Sequence, residues 1–497
     1  MMFSKFWTAL ALAAIHVNLV AAKSVVAHFM LDNSYAYTVG QWKTDMKAAQ
    51  NAGIDGFSLN WIPPDCNAPS RKWQVDRIDD AFQAAEKTGF KLMFSFDMSY
   101  TTCNTFWNTT FMTDMITKHS GSSATMRWNT NILVSTYAGD NNDAYGNQFF
   151  QDLKNSCKSE GNPITLAPAL VSYAQAAQTD AQKSAAKMMT DYPAIDGYFN
   201  CEFISHTSPL TQTDNLPGQA WPLMDSNMTC TADEAFKAAL TKNGKTGPYI
   251  MAVSPWQYKD LNNGIASDSW VAYSDTLFAQ RLETIATNEF SPDIIEVLTW
   301  NDFCESHYLR DLPSMTNTSA TDYVTYSNGM QNYVDGMNHA PWRVMAKYYL
   351  NWWKNGKAPV ITMDQVVYWY RVHPKAAACY GGSSSKIKNQ NYPVDAVFAW
   401  ALVKDKATIS ISVGANQYWE FEADGSGPAL SMVPFPSNLG SGTSPEVSIN
   451  RNNKVVQYSK GSMPITASCV SDNVVFCLKS TYADMLYTEL EQLQCSR

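Results

Sequence analysis

Ten consecutive residues, Thr299-Trp300-Asn301-Asp302-Phe303-Cys304-Glu305-Ser306-His307-Tyr308, form the densest group of reactive side chains in the sequence. Two carboxyls, Asp302 and Glu305, stand three apart among an amide, an imidazole and aromatic rings. Hydrolysis of a glycosidic bond needs such a pair: one acid protonates the leaving oxygen, the other activates water or attacks the anomeric carbon. Side chains alternate across a strand, so an extended backbone would point the two acids to opposite faces. The chain must therefore leave its strand near Asp302 and turn, bringing Glu305 back over the same cavity. The plainer alternative leaves Asp302 as a turn cap and Glu305 as a solvated loop acid.

Competing chemistries lack their motifs. The histidines beyond the N-terminal segment, at 28, 119, 206, 307, 339 and 373, form no His-Glu-x-x-His and no close zinc-ligand pair. There is no Gly-x-Ser-x-Gly elbow, no Walker loop, and none of the ten cysteines lies in a Cys-x-x-Cys pair. No metal or other cofactor is expected.

The elements that must carry these acids are legible as an alternation. Apolar β-type runs at 25–31, 56–62, 91–98, 132–137, 164–170, 197–203, 248–256 and 293–300 are separated by amphipathic helical stretches. Val75, Ile78, Phe82 and Ala85 fall at helical spacing before Gly89, as do Trp42, Met46 and Ala49 before Gly53. The last such helix opens at Pro341 and stops at Gly356. Eight repeats predict a (β/α)8 barrel over residues 24–356, in the α/β class. An open doubly wound sheet is the rival, but no Gly-rich phosphate turn follows the first run. From residue 360 to 497 short β-type runs separated by Gly, Ser, Pro and Asn predict a β-sandwich-like domain, with no amphipathic helix before the last fifteen residues. It could bind polysaccharide or brace the barrel.

In a barrel the strand-to-helix loops converge at the C-terminal ends of the strands. Read in order, those ends offer Asn60 and Trp61, Asp97, Tyr137, Glu202, Trp256, and then Asp302 with Glu305. Acids alternate with aromatic rings, on which sugars stack. His28, Asn60, Trp61, Tyr100, Tyr137, Glu202, Trp256, Trp300, Asn301, His307 and Tyr308 are the candidate substrate-binding residues. Each ring is also a candidate core residue, His28 a satisfied core histidine, and Glu202 a salt-bridge partner.

Composition agrees with a sugar substrate. Aromatic residues make up 13% of the 497, and 45 Asp and Glu outnumber 36 Lys and Arg, for a net charge of −9. Nucleic acid is excluded as a partner, because phosphate-tracking grooves need a basic excess. Residues 1–22 read as a signal peptide: Lys5, an apolar stretch from Phe6 to Val20, then Ala21-Ala22. No later stretch is long and apolar enough for a membrane span. Sequons at Asn108, Asn227 and Asn317 and an even cysteine count fit a secreted glycoprotein with disulfides.

The run Trp300-Asn301-Asp302-Phe303-Cys304-Glu305-Ser306-His307-Tyr308 closely resembles the signature of glycoside hydrolase family 71, the fungal endo-1,3-α-glucanases or mutanases. Ala27-His28-Phe29-Met30, Ala52-Gly53-Ile54-Asp55-Gly56-Phe57 and Phe94-Ser95-Phe96-Asp97-Met98 resemble the same family, in order along the barrel region. Cys304 departs from the small residue expected there. The resemblance implies an enzyme that hydrolyses α-1,3-glucan with inversion, through Asp302 and Glu305 and with support from Asp97; a monomer is expected. Inversion implies carboxyls about 6.5–9.5 Å apart. Glu305 on the loop side is the expected acid and Asp302 the base. The alternative is a wall-associated carbohydrate-binding protein that kept the barrel without catalysis.

Overall fold

Near-continuous apolar runs become strands that are covered on both sides. Eight of them are parallel: β1 (Ser24–Met30), β2 (Gly56–Trp61), β3 (Lys91–Asp97), β4 (Asn131–Tyr137), β5 (Ile164–Leu166), β6 (Tyr198–Asn200), β7 (Tyr249–Val253) and β8 (Ile294–Val297). This computed structural model describes residues 23–63, 72–99, 106–140, 144–201, 230–260, 269–271, 275–312, 331–375, 377–379, 393–415, 417–469 and 481–487. The strands are ordered 5-4-3-2-1-8-7-6, so the first is paired with both the second and the eighth. The result is a curled, TIM-barrel-like sheet. Between β5 and β6 no ladder forms, but the amides of Asp196 and Gly197 donate to Leu166 O and that of Phe199 to Pro168 O.

Helices between the strands begin and end on local signals. Thr38 caps α1 (Val39–Asn51) with a reciprocal capping box to Gln41. Helix α2 (Lys72–Thr88) stops before Gly89, whose φ of 70° suits a residue without Cβ. The other long helices are α3 (Thr109–Lys118), α4 (Asn147–Ser159), α5 (Ala181–Asp191), α6 (Thr231–Lys242), α7 (Leu277–Ala286) and α8 (Trp342–Asn355), with short helical turns at Val171–Ala177 and Gln331–Val334. Helix α8 starts after Pro341 and ends at Gly356, at φ 68°. One buried ion pair ties α6 and α7 to the sheet. Asp233 takes two hydrogen bonds from Arg281, at 2.9 and 3.1 Å, one from Tyr249 Oη at 2.6 Å and one from Asn200 at 3.1 Å.

The two larger sheets of the C-terminal part are antiparallel, beside one short parallel pair, Ala378–Cys379 with Ser468–Cys469. Strands β9 (Gln365–Arg371), β10 (Ala396–Leu402), β13 (Ala429–Pro434) and β16 (Thr481–Tyr487) form one four-stranded sheet, in the order 13-10-9-16. A second holds β11 (Ala407–Val413), β12 (Gln417–Ala423), β14 (Pro445–Arg451) and β15 (Lys454–Lys460), in the order 12-11-14-15. The first sheet is buried on both faces. Val367, Trp369, Phe398 and Trp400 join the barrel's core, while Val366, Tyr368, Val397 and Ala399 share a core with Ile409, Ile411 and Val447 of the second sheet. Thr481–Tyr487 is a strand, where the sequence allowed a helix near the chain end.

Cys157 and Cys230 are thiols rather than disulfide partners, and burial pushes Cys230 up to about 11. Asn108 is exposed and caps α3 through Phe111 N, while Asn227, Asn317 and the segment 1–22 lie outside the described residues. Among the described residues no helix is long and apolar enough to cross a membrane.

Candidate active site

The loop after β8 is stapled to both neighbouring strands. Leu298 N donates to Val253 O at the end of β7 and Trp300 N to His28 O in β1, each at 2.8 Å. The backbone then turns over residues 303–306, with Ser306 at φ 59°. The chain then loops back beside itself, so that Thr299 N donates to His307 O and Arg310 N to Trp300 O. This reversal puts Asp302 and Glu305 on one side, although a strand would have separated them.

Asp302 is buried and held from several directions. Its amide donates to Thr299 Oγ1 at 2.8 Å, and its Oδ1 accepts the amide of Glu305 at 3.1 Å. His307 Nε2 lies 3.2 Å from Asp302 Oδ2 and 3.5 Å from Glu305 Oε2. Lys259 Nζ stands 3.8 Å from Glu305 Oε1. On the far side of the imidazole, Nδ1 meets Gln257 Nε2 at 2.8 Å and Ser254 Oγ at 3.4 Å. Burial alone would push the Asp302 carboxyl up, but the hydrogen bond from His307, the Glu305 amide and the charge of Lys259 hold it below the usual range. Asp97, at the end of β3, is shifted the other way. Burial pushes it up, partly offset by hydrogen bonds from Ser99 N and Oγ at 2.9 and 2.6 Å and by the charge of His28. Carboxyls pushed in opposite directions are suited to opposite protonation states.

Asp302, Glu305 and His307 each offer an atom within 4.8 Å of the others, close enough to hold a cation. Both imidazole nitrogens are already engaged, however, by Asp302 and by Gln257. A metal would also have to stand beside the Lys259 ammonium. The donor set fits a hydrogen-bonded acid cluster better than a metal centre.

Several candidate sugar contacts turn out to be core. Trp61 is buried against Phe96 and Trp107, and Trp256 is buried as well. Trp300 packs on Phe57 and donates Nε1 to Asp45 at 3.1 Å. Tyr308 is fully buried, stacked on His339. Asn301 is a backbone staple, accepting Met30 N and donating to Met30 O, and Asn60 is buried beside Ser95. All six of these side chains are buried in the described structure. His28 Nδ1 meets the fully buried Glu296 at 2.7 Å, with its ring edge-on to half-buried Tyr137. Tyr100 and Glu202 lie outside the described residues.

Sequence reasoning missed Gln257 and Lys259, which no motif marks, and Glu296 inside the eighth apolar run. It also missed Tyr35, 48% exposed and edge-on to Trp73 at 5.1 Å, in the loop after β1. Its place just past the short turn Leu31–Ser34 that follows β1 was the one available signal.

The chain matches the description "Glycosyl hydrolase family 71" over residues 21–477. It is 30% identical to the glucan endo-1,3-alpha-glucosidase agn1 of Schizosaccharomyces pombe over 451 residues, 87% of this chain and 92% of that protein. A mutanase of Penicillium rubens is 29% identical over 466 residues, 92% of this chain and 89% of that protein. A solved bacterial GH99 endo-alpha-mannosidase from Bacteroides thetaiotaomicron superposes with a TM-score of 0.42 at 10% identity, over 67% of this chain and 97% of that one. That likeness is too low to carry an argument. The match along most of the chain does carry one, and this chain belongs to glycosyl hydrolase family 71.

Proposed function

We propose that the chain is a secreted, endo-acting hydrolase of the α-1,3-glucosidic bonds of α-1,3-glucan, the polymer of mutan and fungal walls, and that it works by inversion. The observation that carries the reading is the stapled turn after β8, which gathers Asp302, Glu305 and His307 into one cluster in a chain of this family. The activities named for the relatives supply the linkage. Asp302, kept ionised, takes the proton of the attacking water. Glu305, with 32% of its side chain exposed at the loop edge, protonates the departing oxygen. Asp97, shifted towards its neutral form, offers a hydrogen bond to the sugar.

The spacing needs one adjustment. The nearest oxygens of Asp302 and Glu305 lie within 4.8 Å, below the roughly 6.5–9.5 Å that inversion asks of the carboxyl groups. We infer that Glu305 swings outward when glucan enters, since it is the more exposed of the two. Catalytic contacts commonly reach their working lengths only in the substrate complex.

The cyclic strand order supports a (β/α)8 barrel over 24–356, and two sheets sharing a core support a sandwich-like accessory domain over 360–497. The monomeric protein then needs only the polysaccharide as partner. Incubation with insoluble α-1,3-glucan tests the reading: soluble oligosaccharides of mixed length should appear, with new reducing ends first in the β configuration by NMR. Retained α ends would overturn inversion. Tight binding to the glucan without any cleavage would favour the carbohydrate-binding alternative.

A further inference from the structure

We propose that Gln257 is a positioning residue for this chemistry: its side-chain amide holds His307 in the tautomer protonated on Nε2, so that one imidazole N–H is aimed at the carboxyl groups of Asp302 and Glu305. The proposal rests on the reading that those two acids act on substrate. Gln257 and His307 are both buried, with 6% and 4% exposure, so their hydrogen bonds cannot be replaced freely by water.

With the Gln257 amide as it stands, only one tautomer of a neutral His307 matches every partner. Gln257 Nε2 is a donor and faces Nδ1 at 2.8 Å, so Nδ1 must present its lone pair. Ser254 Oγ, 3.4 Å from the same nitrogen, is a second available donor. The proton then sits on Nε2, opposite carboxylate oxygens at 3.2 and 3.5 Å. The other tautomer would set donor against donor at Nδ1 and lone pair against carboxylate at Nε2. An imidazolium would set its Nδ1–H against the amide NH2 until the amide turned over. The charged groups around the ring are Asp302, Glu305 and, beyond Glu305, Lys259.

Gln257 is well placed to hold this register. It follows β7, and the next residue, Tyr258, donates its amide to Glu305 O at 3.0 Å. The loops after β7 and β8 therefore move together. The consequence for catalysis is direct: a neutral His307 gives Asp302 a hydrogen bond without giving it a proton, and Asp302 remains a base.

The test reads the tautomer and the turnover separately. In the full-length protein with 15N-labelled histidine, the His307 signals are assigned by their loss in His307→Gln. At the pH of the activity assay they should show a protonated Nε2 and a bare Nδ1. Gln257→Met keeps the length but removes the donor. It should lower kcat about 10- to 100-fold, leave KM and glucan binding near wild type, and mix the tautomers. A wild-type His307 protonated on Nδ1 would overturn the proposal even if no variant folds. So would a folded Gln257→Met with wild-type kcat, or with reduced kcat and an unchanged tautomer. Because the spectrum needs no turnover, failure of this proposal is distinguishable from failure of the catalytic pair.

Discussion

A carboxyl that accepts a proton from water must be ionised, and one that offers a hydrogen bond as an acid must keep its proton. The structure separates these demands by environment: Asp302 is held low by His307, an amide and Lys259, while burial pushes Asp97 up. Asp97→Asn keeps the shape and the contact with Ser99, so its melting temperature should stay near wild type. Its turnover should fall about 100-fold or more; unchanged kinetics would leave Asp97 a structural acid. Since the imidazole of His307 is engaged on both sides, exhaustive chelation should leave activity intact. A loss restored by one divalent ion would show that Asp302, Glu305 and His307 bind metal after all. At this scale the sequence marked both carboxyls and His307. It could not mark Gln257, because a lone glutamine acquires meaning only when folding places it against an imidazole.

Among the elements, the eight apolar runs all became strands, within a few residues of their expected starts. Their ends were read too long, as at 164–170 and 197–203, where the regular strands are Ile164–Leu166 and Tyr198–Asn200. Apolar side chains continue past the last ladder bond, and hydrophobicity alone does not reveal where pairing stops. Trp61, Trp256 and Trp300, all buried, show the same limit: a strand-end tryptophan reads alike whether it faces helix or cavity. The Asp233–Arg281 pair was invisible for the opposite reason, being 48 residues apart in sequence. Asp233→Ala would leave Arg281 charged, buried and uncompensated, at a cost of about 3–5 kcal/mol. Denaturant unfolding should show it, and a change below about 1 kcal/mol would mean that water or another group had replaced the carboxylate.

The whole molecule is layered, with the sheet containing β9 and β10 between the barrel and the second sheet. Trp369 Nε1 donates to Asp275 O at 2.7 Å, Val394 N to Asp275 Oδ2 at 2.9 Å, and Trp400 Nε1 to Tyr349 Oη at 3.0 Å. Trp369, Phe398 and Trp400 sit in the barrel's own core cluster. A freely tumbling binding module would not share that core, so the bracing role is the one the packing supports. A protein truncated to residues 24–359 would expose this surface and should aggregate or melt well below the full chain. A soluble truncation that cleaves short oligosaccharides normally and loses only its grip on insoluble polymer would instead make the C-terminal part a binding module. The cavity of ≈ 460 Å³ where Tyr349 meets Trp400, Trp419 and Phe421 would then be the place to look for sugar.

The central claim is that Asp302 and Glu305 together cleave glucan. Reducing ends released from insoluble α-1,3-glucan should be counted for wild type, Asp302→Asn and Glu305→Gln at equal protein concentration, with glucan binding measured in parallel. Each substitution removes an ionisable group and nearly preserves its shape. We expect turnover to fall about 1,000-fold or more in both, with binding and melting temperature close to wild type. Activity within about tenfold of wild type in both variants would contradict the account.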